Sequence, residues 1–310
     1  MGSSESCGNG GIFTDPAEMP EQIGAALKFP MKNVPKRSKV CICGTGTSAM
    51  AGEIISDLAD VSSDVPIPVI RSTELPKWVD IDTAAIVISY SGNTPEALSL
   101  YEQAISRGCA TVCITSGGIL AERAIVNNDH LVELPSGVSA DDALGYMLGS
   151  AASVIEEIGI CKIADELNSI LPSLKAFRDA VKRNESLSKI ADAVRGKIPA
   201  VYSLINMRSA AMRWKMQING LRTMAFCGTI PEFSHNEIVG WTGDGASKEF
   251  IPIILCDDDS DDVINCIKEA LSGVLRDNGI EPYEFMIEGK NDLEKNLMLM
   301  ILGDILFSRW

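Results

Sequence analysis

Short apolar runs of four to seven residues, separated by glycine- or hydroxyl-rich turns and by stretches of helical periodicity, constrain this fold more than any other feature of the chain. They fall at 39–43, 67–70, 84–89, 111–114 and 130–134, with helices expected at about 16–28 and 49–58 and from Pro95. Strands that alternate with helices form a parallel sheet covered on both faces. From about 140 to 193 the periodicity is helical, broken only at Pro172, and no strand is expected. The strand rhythm returns at 200–204, 223–227 and 250–256, followed by a helix near 261–276, a strand at Tyr283–Ile287 and a last helix at about 291–309. With 310 residues the chain has room for two domains of roughly 150 each. The expected organisation is α/β in two lobes: a flexible lead at 1–15, a first lobe at 16–150, a helical connection at 151–195 and a second lobe at 196–310.

Charge narrows the partners. The chain holds 27 Lys and Arg against 42 Asp and Glu, a net charge of −15. Binding to nucleic-acid phosphates depends on basic residues that displace condensed counterions, so neither nucleic acid nor an anionic membrane surface is an expected partner. A local cluster of N–H and hydroxyl donors still holds a small anion, because fixed dipoles at short range outweigh screened distant charge. Nine scattered cysteines without a C-x-x-C pair, and only two histidines, His130 and His235, support neither a zinc cage nor a disulfide framework, and no metal is expected. The opening MGSSESCGNGG lacks the basic and apolar regions of an export signal, and the richest apolar stretch, 297–307, is interrupted by Gly303 and Asp304. A cytoplasmic protein is expected. Gly2 and Ser6 fit a loose myristoylation pattern, but no polybasic segment follows to supply a second membrane signal.

Two loops hold the chemistry. Gly44-x-Gly46-x-x-Ala49 sits between a strand and a helix, where glycine lets the backbone approach a ligand and the helix start offers N–H groups to an anion. It matches a dinucleotide fingerprint, yet that reading needs an acid at the end of the next strand, and the run 67–70 ends in Arg71. A turn that serves only strand–helix packing is the plain alternative. The second loop, Ser89-Tyr90-Ser91-Gly92-Asn93-Thr94, runs into Pro95. Thr94 as N-cap with Pro95 at N1 accounts for one hydroxyl. Ser89 and Ser91 exceed what a cap needs, and hydroxyls crowded with N–H groups at one helix start predict a phosphate site.

Gly44-Thr45-Gly46-Thr47-Ser48, Arg71-Ser72-Thr73-Glu74-Leu75-Pro76 with Trp78, SYSGNT at 89–94, Thr115-Ser116-Gly117-Gly118, Pro135-Ser136-Gly137 and Ala143-Leu144-Gly145-Tyr146 resemble, in order and spacing, the sugar isomerase (SIS) fold of the bifunctional phosphoglucose/phosphomannose isomerases. In the second half Arg213-Trp214-Lys215-x-Gln217-Ile218-Asn219, Pro231-Glu232, His235-Asn236-Glu237-Ile238-Val239-Gly240-Trp241 and Leu302-Gly303-Asp304 are similar to the same family. The resemblance implies two SIS-type three-layer α/β/α lobes with mainly parallel sheets. It also implies aldose–ketose isomerisation of hexose 6-phosphates without metal or cofactor, in a pocket shared across a homodimer. By the same resemblance Gly46, Thr47, Ser48, Ser89, Ser91 and Thr94 hold the phosphate, and His235 of the partner subunit opens the sugar ring. A glutamate then moves a proton between C1 and C2 while an arginine and a lysine stabilise the enediolate. Taken alone, His235 in its polar loop reads equally well as a capping or surface histidine, and His130, opening a strand, reads as structural.

The chain departs from the family at the catalytic positions. The family's glutamate follows the asparagine that here is Asn219, in a segment reading Asn-Glu-Asn-Ala-Lys, whereas this chain reads Asn219-Gly220-Leu221-Arg222-Thr223. Asp141 stands where the family arginine is expected, and the lysine-bearing tail expected after the last helix is not found before Trp310. A missing general base costs about 10²–10⁴ in rate and a missing electrostatic stabiliser about 10²–10³. Candidate replacements are Asp141, Asp142, Glu232 and Glu237 for the base and Lys215 and Arg222 for the cation. Two readings stay open: a sugar-phosphate isomerase of altered mechanism, and a non-catalytic sugar-phosphate binder that senses or regulates. An acid at 141 also suits a protonated amine, which adds an amino-sugar phosphate as a ligand. The acidic run at 257–262 follows a strand and opens a helix, so a solvated cap stabilised by the helix dipole is expected there.

Overall fold

The apolar runs become parallel strands in both halves of the chain. The computed structural model describes residues 12–31, 34–243, 249–257, 259 and 262–308. Most of the lead at 1–15, the pattern at Gly2 and Ser6, part of the acidic run (Asp258, Ser260, Asp261) and Trp310 lie outside the described residues. The chain divides into two compact units, Met1–Pro172 and Ser173–Trp310.

In the first unit β1 (Lys39–Cys43), β2 (Val69–Ile70), β3 (Thr83–Ile88), β4 (Ala110–Thr115) and β5 (His130–Glu133) form one sheet in the order β2-β1-β3-β4-β5, every pairing parallel. β3 and β4 are buried along their whole length, as strands covered on both sides must be. The covering helices are α1 (Met19–Ala26), α2 (Gly46–Ser62), α3 (Pro95–Ser106), α4 (Gly118–Asn127) and α5 (Leu144–Ile158). Strand side chains alternate between faces. Cys41, Cys43, Ala85, Val87 and Cys113 pack with Ala97, Leu100 and Tyr101 of α3 and Leu120 and Ala124 of α4. Ile42, pointing the other way, meets α2 at Gly52, and α2 and α1 in turn pack on α5.

The second unit repeats the design. β6 (Ile198–Ser203), β7 (Phe226–Thr229), β8 (Phe250–Asp257) and β9 (Tyr283–Ile287) pair in parallel in the order β7-β6-β8-β9. The helices that follow α5 are α6 (Ile163–Arg183), α7 (Ser186–Val194), α8 (Arg208–Gly220), α9 (Ile230–Phe233), α10 (Glu237–Trp241), α11 (Asp262–Asp277) and α12 (Asp292–Ser308). Neighbouring residues of β9 report the two faces: Phe285 packs edge-on to Trp214 of α8 at 5.1 Å, while Glu284 accepts a hydrogen bond from Ser272 of α11 at 2.9 Å. Two lobes with parallel sheets flanked by helices thus form the α/β architecture.

Several expectations shift. The helix expected at 49–58 spans Gly46–Ser62, so its start lies inside the first glycine cluster. The run 67–70 shrinks to the two-residue β2, because Pro66 and Pro68 have no N–H to give a ladder. The strand expected at 223–227 begins only at Phe226: the chain first turns after α8 through Arg222 at φ 62°, and Asn219 Oδ1 holds the Ala225 N–H at 2.9 Å. The acidic run is not a solvated cap at Asp257, which ends β8, is 2% exposed and pairs with buried Lys295 at 3.1 Å. Asp259 joins the same ammonium at 2.5 Å. Burial alone pushes the Lys295 pKa down, and the two carboxylates more than reverse this and hold it above the usual lysine range.

Candidate functional site

Strand order in the first sheet reverses between β1 and β3, since β2 lies beyond β1 on one side and β4 and β5 beyond β3 on the other. Ligands of open parallel sheets bind past the C-terminal strand ends at such a switch point. Both candidate loops sit there, one after β1 and one after β3.

The β1 loop turns directly into α2. Gly46 opens that helix at φ 57°, a left-handed value that suits glycine, and the first backbone bond runs from Ala49 N to Thr45 O at 3.3 Å. The N–H groups of Gly46, Thr47 and Ser48 therefore have no partner within the helix. In the β3 loop the first backbone bond of α3 runs from Leu98 N to Thr94 O at 3.0 Å. Thr94 occupies the N-cap position, but its hydroxyl makes no capping bond, contrary to expectation; it accepts instead from Ser89 Oγ at 3.1 Å. The Ser48 hydroxyl accepts from Tyr90 N at 3.4 Å. Ser89 is 1% and Ser48 8% exposed, whereas Ser91 lies open to solvent with its hydroxyl accepting from Asn93 N at 3.3 Å. Two helix starts and the oxygens of Ser48, Ser89 and Thr94 are thus gathered at one switch point, an arrangement able to hold an anion by charge-assisted hydrogen bonds.

This loop is braced from behind. Gly92, at φ 67°, lies so close to Gly117 that an added Cβ would stand 1.8 Å from the Gly117 carbonyl oxygen. The Tyr90 carbonyl accepts from Ser116 Oγ at 2.7 Å, and its hydroxyl donates to Pro135 O at 2.7 Å while accepting from Val138 N at 3.1 Å. Tyr90 thereby ties the segment after β5 to the site. Fully buried Gln22 of α1 holds the far end of that segment, donating to Asp142 O at 2.7 Å and accepting from Gly145 N at 3.0 Å. Sequence reasoning missed both residues. Gln22 had a signal, a polar side chain on the buried stripe of α1.

Between these anchors Asp141 reaches α2. Its Oδ1 accepts from Thr47 Oγ1 at 2.6 Å, so the Thr47 hydroxyl, expected at the phosphate, is directed to a carboxylate. Asp142 is used locally: its Oδ2 accepts from Ser139 Oγ at 2.6 Å.

The second unit holds the other candidates, beyond the C-terminal end of β7. His235 is exposed, its N–H donating to Glu232 O at 3.0 Å, and Glu232 is exposed as well. Glu237 is held from β6: Tyr202 Oη donates to Glu237 Oε2 at 2.9 Å and accepts from Trp241 Nε1 at 3.2 Å, while Phe233 stacks on the Tyr202 ring at 3.8 Å. Burial, with the nearby Glu237 carboxylate, raises the Tyr202 pKa far above the usual phenol range, which keeps the phenol a donor. Arg213, Gln217 and Asp304 do not line a cleft. Arg213 pairs with Asp304 at 3.0 Å, both buried, Gln217 Nε2 bonds the same carboxylate, and Trp214 Nε1 donates to Leu299 O at 2.7 Å. These residues join α8 to α12. At Gly220, the residue that follows Asn219, an added Cβ would meet nothing within 4 Å.

Among the described residues no helix is long and apolar enough to cross a membrane. Residues 183–306 match the family model of the bacterial phospho-glucose isomerase C-terminal SIS domain. The chain is 34% identical over 267 residues to a bifunctional phosphoglucose/phosphomannose isomerase of Aquifex aeolicus, covering 86% of this chain and 81% of that one. It is 29% identical over 312 residues to another from Caldicellulosiruptor bescii, covering 94% and 91%. The C-terminal domain of glucosamine-fructose-6-phosphate aminotransferase from Francisella tularensis shares the fold, with a TM-score of 0.71, 13% identity and coverage of 95% and 94%. Parallel sheets, loops placed at the switch point and identity over most of the sequence together make this chain a member of the bifunctional phosphoglucose/phosphomannose isomerase family, a sugar-phosphate isomerase-like protein of SIS fold.

Proposed function

We propose that this chain interconverts the aldose and ketose forms of a hexose 6-phosphate, glucose or mannose 6-phosphate with fructose 6-phosphate, as a cytoplasmic homodimer. The observation that supports it most directly is the gathering of Ser48, Ser89 and Thr94 hydroxyls with two uncapped helix starts at the β1/β3 switch point. In this reading the N–H groups of Gly46, Thr47 and Ser48 and the hydroxyls of Ser48, Ser89, Ser91 and Thr94 take the phosphate. His235 of the partner subunit opens the ring. The base is sought among Asp141, Asp142, Glu232 and Glu237: Glu237 is the one oriented by a buried donor, Tyr202, while Asp141 and Asp142 are engaged by Thr47 and Ser139. The test is a coupled assay of the full chain with fructose 6-phosphate, run beside calorimetric titration. Binding with turnover is expected; binding without turnover removes the isomerase, and no binding removes the phosphate site.

A further inference from the structure

Tyr90 makes more bonds than its place in the hydroxyl loop requires. Its N–H donates to Ser48 Oγ at 3.4 Å and its carbonyl accepts from Ser116 N at 2.9 Å, so its main chain joins the start of α2 to the loops after β3 and β4. Its side chain serves another segment. Tyr90 is 6% exposed, and the hydroxyl is used both ways, donating to Pro135 O at 2.7 Å and accepting from Val138 N at 3.1 Å. Holding an anion at two helix starts requires neither of these last two bonds. What they fix is the segment 135–142, which crosses the C-terminal edge of the first sheet. It leaves β5 with Leu134 N on Thr115 O at 2.8 Å, is tied to the β3 loop by Tyr90, and reaches the start of α2 where Thr47 Oγ1 donates to Asp141 at 2.6 Å. The segment therefore runs past both loops of the β1/β3 switch point. Val138 is buried in it, while Ser136, Gly137, Ser139 and Ala140 are exposed. A sugar esterified to a phosphate at the two helix starts has this segment as its neighbour, and exposed main-chain N–H and C=O groups on a fixed strap suit its hydroxyls.

We infer that Tyr90 is a positioning residue, whose hydroxyl sets the segment 135–142 as the wall that receives the hexose. The inference rests on the phosphate site proposed above and divides the ligand between its parts: the loops at Ser48, Ser89 and Thr94 hold the phosphate, and the wall placed by Tyr90 holds the sugar.

Calorimetric titration of the full chain with fructose 6-phosphate and with inorganic phosphate, before and after Tyr90→Phe, tests this. The variant is expected to bind fructose 6-phosphate about tenfold or more weakly and inorganic phosphate within about threefold of the unmodified chain, since only the first ligand reaches the released wall. Amide hydrogen exchange on the unmodified chain is the second measurement and needs no variant to fold. Fructose 6-phosphate should slow exchange at 136–141, whereas inorganic phosphate should slow it at 46–48 and leave 136–141 unchanged. Equal weakening of both ligands overturns the inference, because the tyrosine then only supports the phosphate loops. Unchanged binding of both, or exchange at 136–141 that ignores fructose 6-phosphate, also overturns it and leaves the phosphate site standing. So does binding of fructose 6-phosphate without binding of inorganic phosphate, because the loops then hold nothing apart from the wall. Failure of both ligands to bind the unmodified chain removes the phosphate site and the inference with it.

Discussion

Tyr202 Oη donates to the Glu237 carboxylate at 2.9 Å from a ring that Phe233 stacks upon and Trp241 hydrogen-bonds, so a buried strand residue fixes the orientation of an exposed acid. If Glu237 moves the proton, Glu237→Gln keeps this bond through its amide oxygen and loses only the base. The expected result is a fall in kcat of about 10²–10⁴ with KM and melting temperature little changed. Steady-state kinetics with fructose 6-phosphate decides it, and an unaltered kcat assigns the proton transfer to another group.

The same tyrosine sets an alkaline limit. Burial raises its pKa in the folded chain above the value of about 10 that it has when unfolded. A group raised in this way contributes stability that is whole below the unfolded pKa and is lost as pH climbs toward the folded one. Urea unfolding should therefore show the wild type losing up to about 1.4 kcal/mol per pH unit above about pH 10 from this residue. Tyr202→Phe should lack that increment of slope. Parallel curves for the two proteins would contradict it.

Ser89 is nearly inaccessible and donates its hydroxyl to Thr94 at the end of β3. Ser89→Ala is expected to weaken fructose 6-phosphate binding about tenfold to a hundredfold, the value of one charge-assisted bond. Thermal melting without ligand should move little. Calorimetry reads the first and a melting curve the second.

Gly92→Ala acts through shape. The new methyl would lie 1.8 Å from the Gly117 carbonyl oxygen and 2.9 Å from Thr115 Oγ1, on a backbone at φ 67°. Neither neighbour is the end of a flexible side chain, so the loop must move. A stability loss above about 2 kcal/mol with abolished phosphate binding is expected in chemical denaturation and titration. Wild-type binding in this variant would show that the loop is not the phosphate site.

Gly220 is the last residue of α8, and the space beside its Cα is open. Gly220→Glu puts a carboxylate directly after Asn219, where the sequence resemblance leads one to expect the family's base. Helix propensity favours the change by roughly 0.5 kcal/mol, so folding should not suffer. Isomerase turnover is expected to rise by about 10² or more over the unmodified chain, measured with fructose 6-phosphate. A rate that stays flat would mean that the surrounding site no longer accepts this base.

Where physics was local, the sequence was readable. Lys39–Cys43 and Tyr283–Ile287 keep the bounds expected of them, because each is a short apolar run closed by turn residues. The hydroxyl cluster at 89–94 falls at the end of β3, and Pro95 opens α3. Reading failed where a distant partner decided the outcome. Asp257 looked solvated until Lys295, 38 residues on, paired with it inside the unit. Thr94 takes the N-cap position expected of it, yet its hydroxyl answers to Ser89 rather than to the helix. Nothing near Tyr90 announces that its hydroxyl closes on Pro135 and Val138, and nothing near Asp141 announces Thr47, 94 positions earlier. Strand 223–227 slid because a left-handed residue at Arg222, rather than hydropathy, determines where the turn ends.

Tyr90 and Gln22 fasten the main chain on either side of position 141, so a displacement of the segment after β5 is passed both to the loop after β3 and to α1.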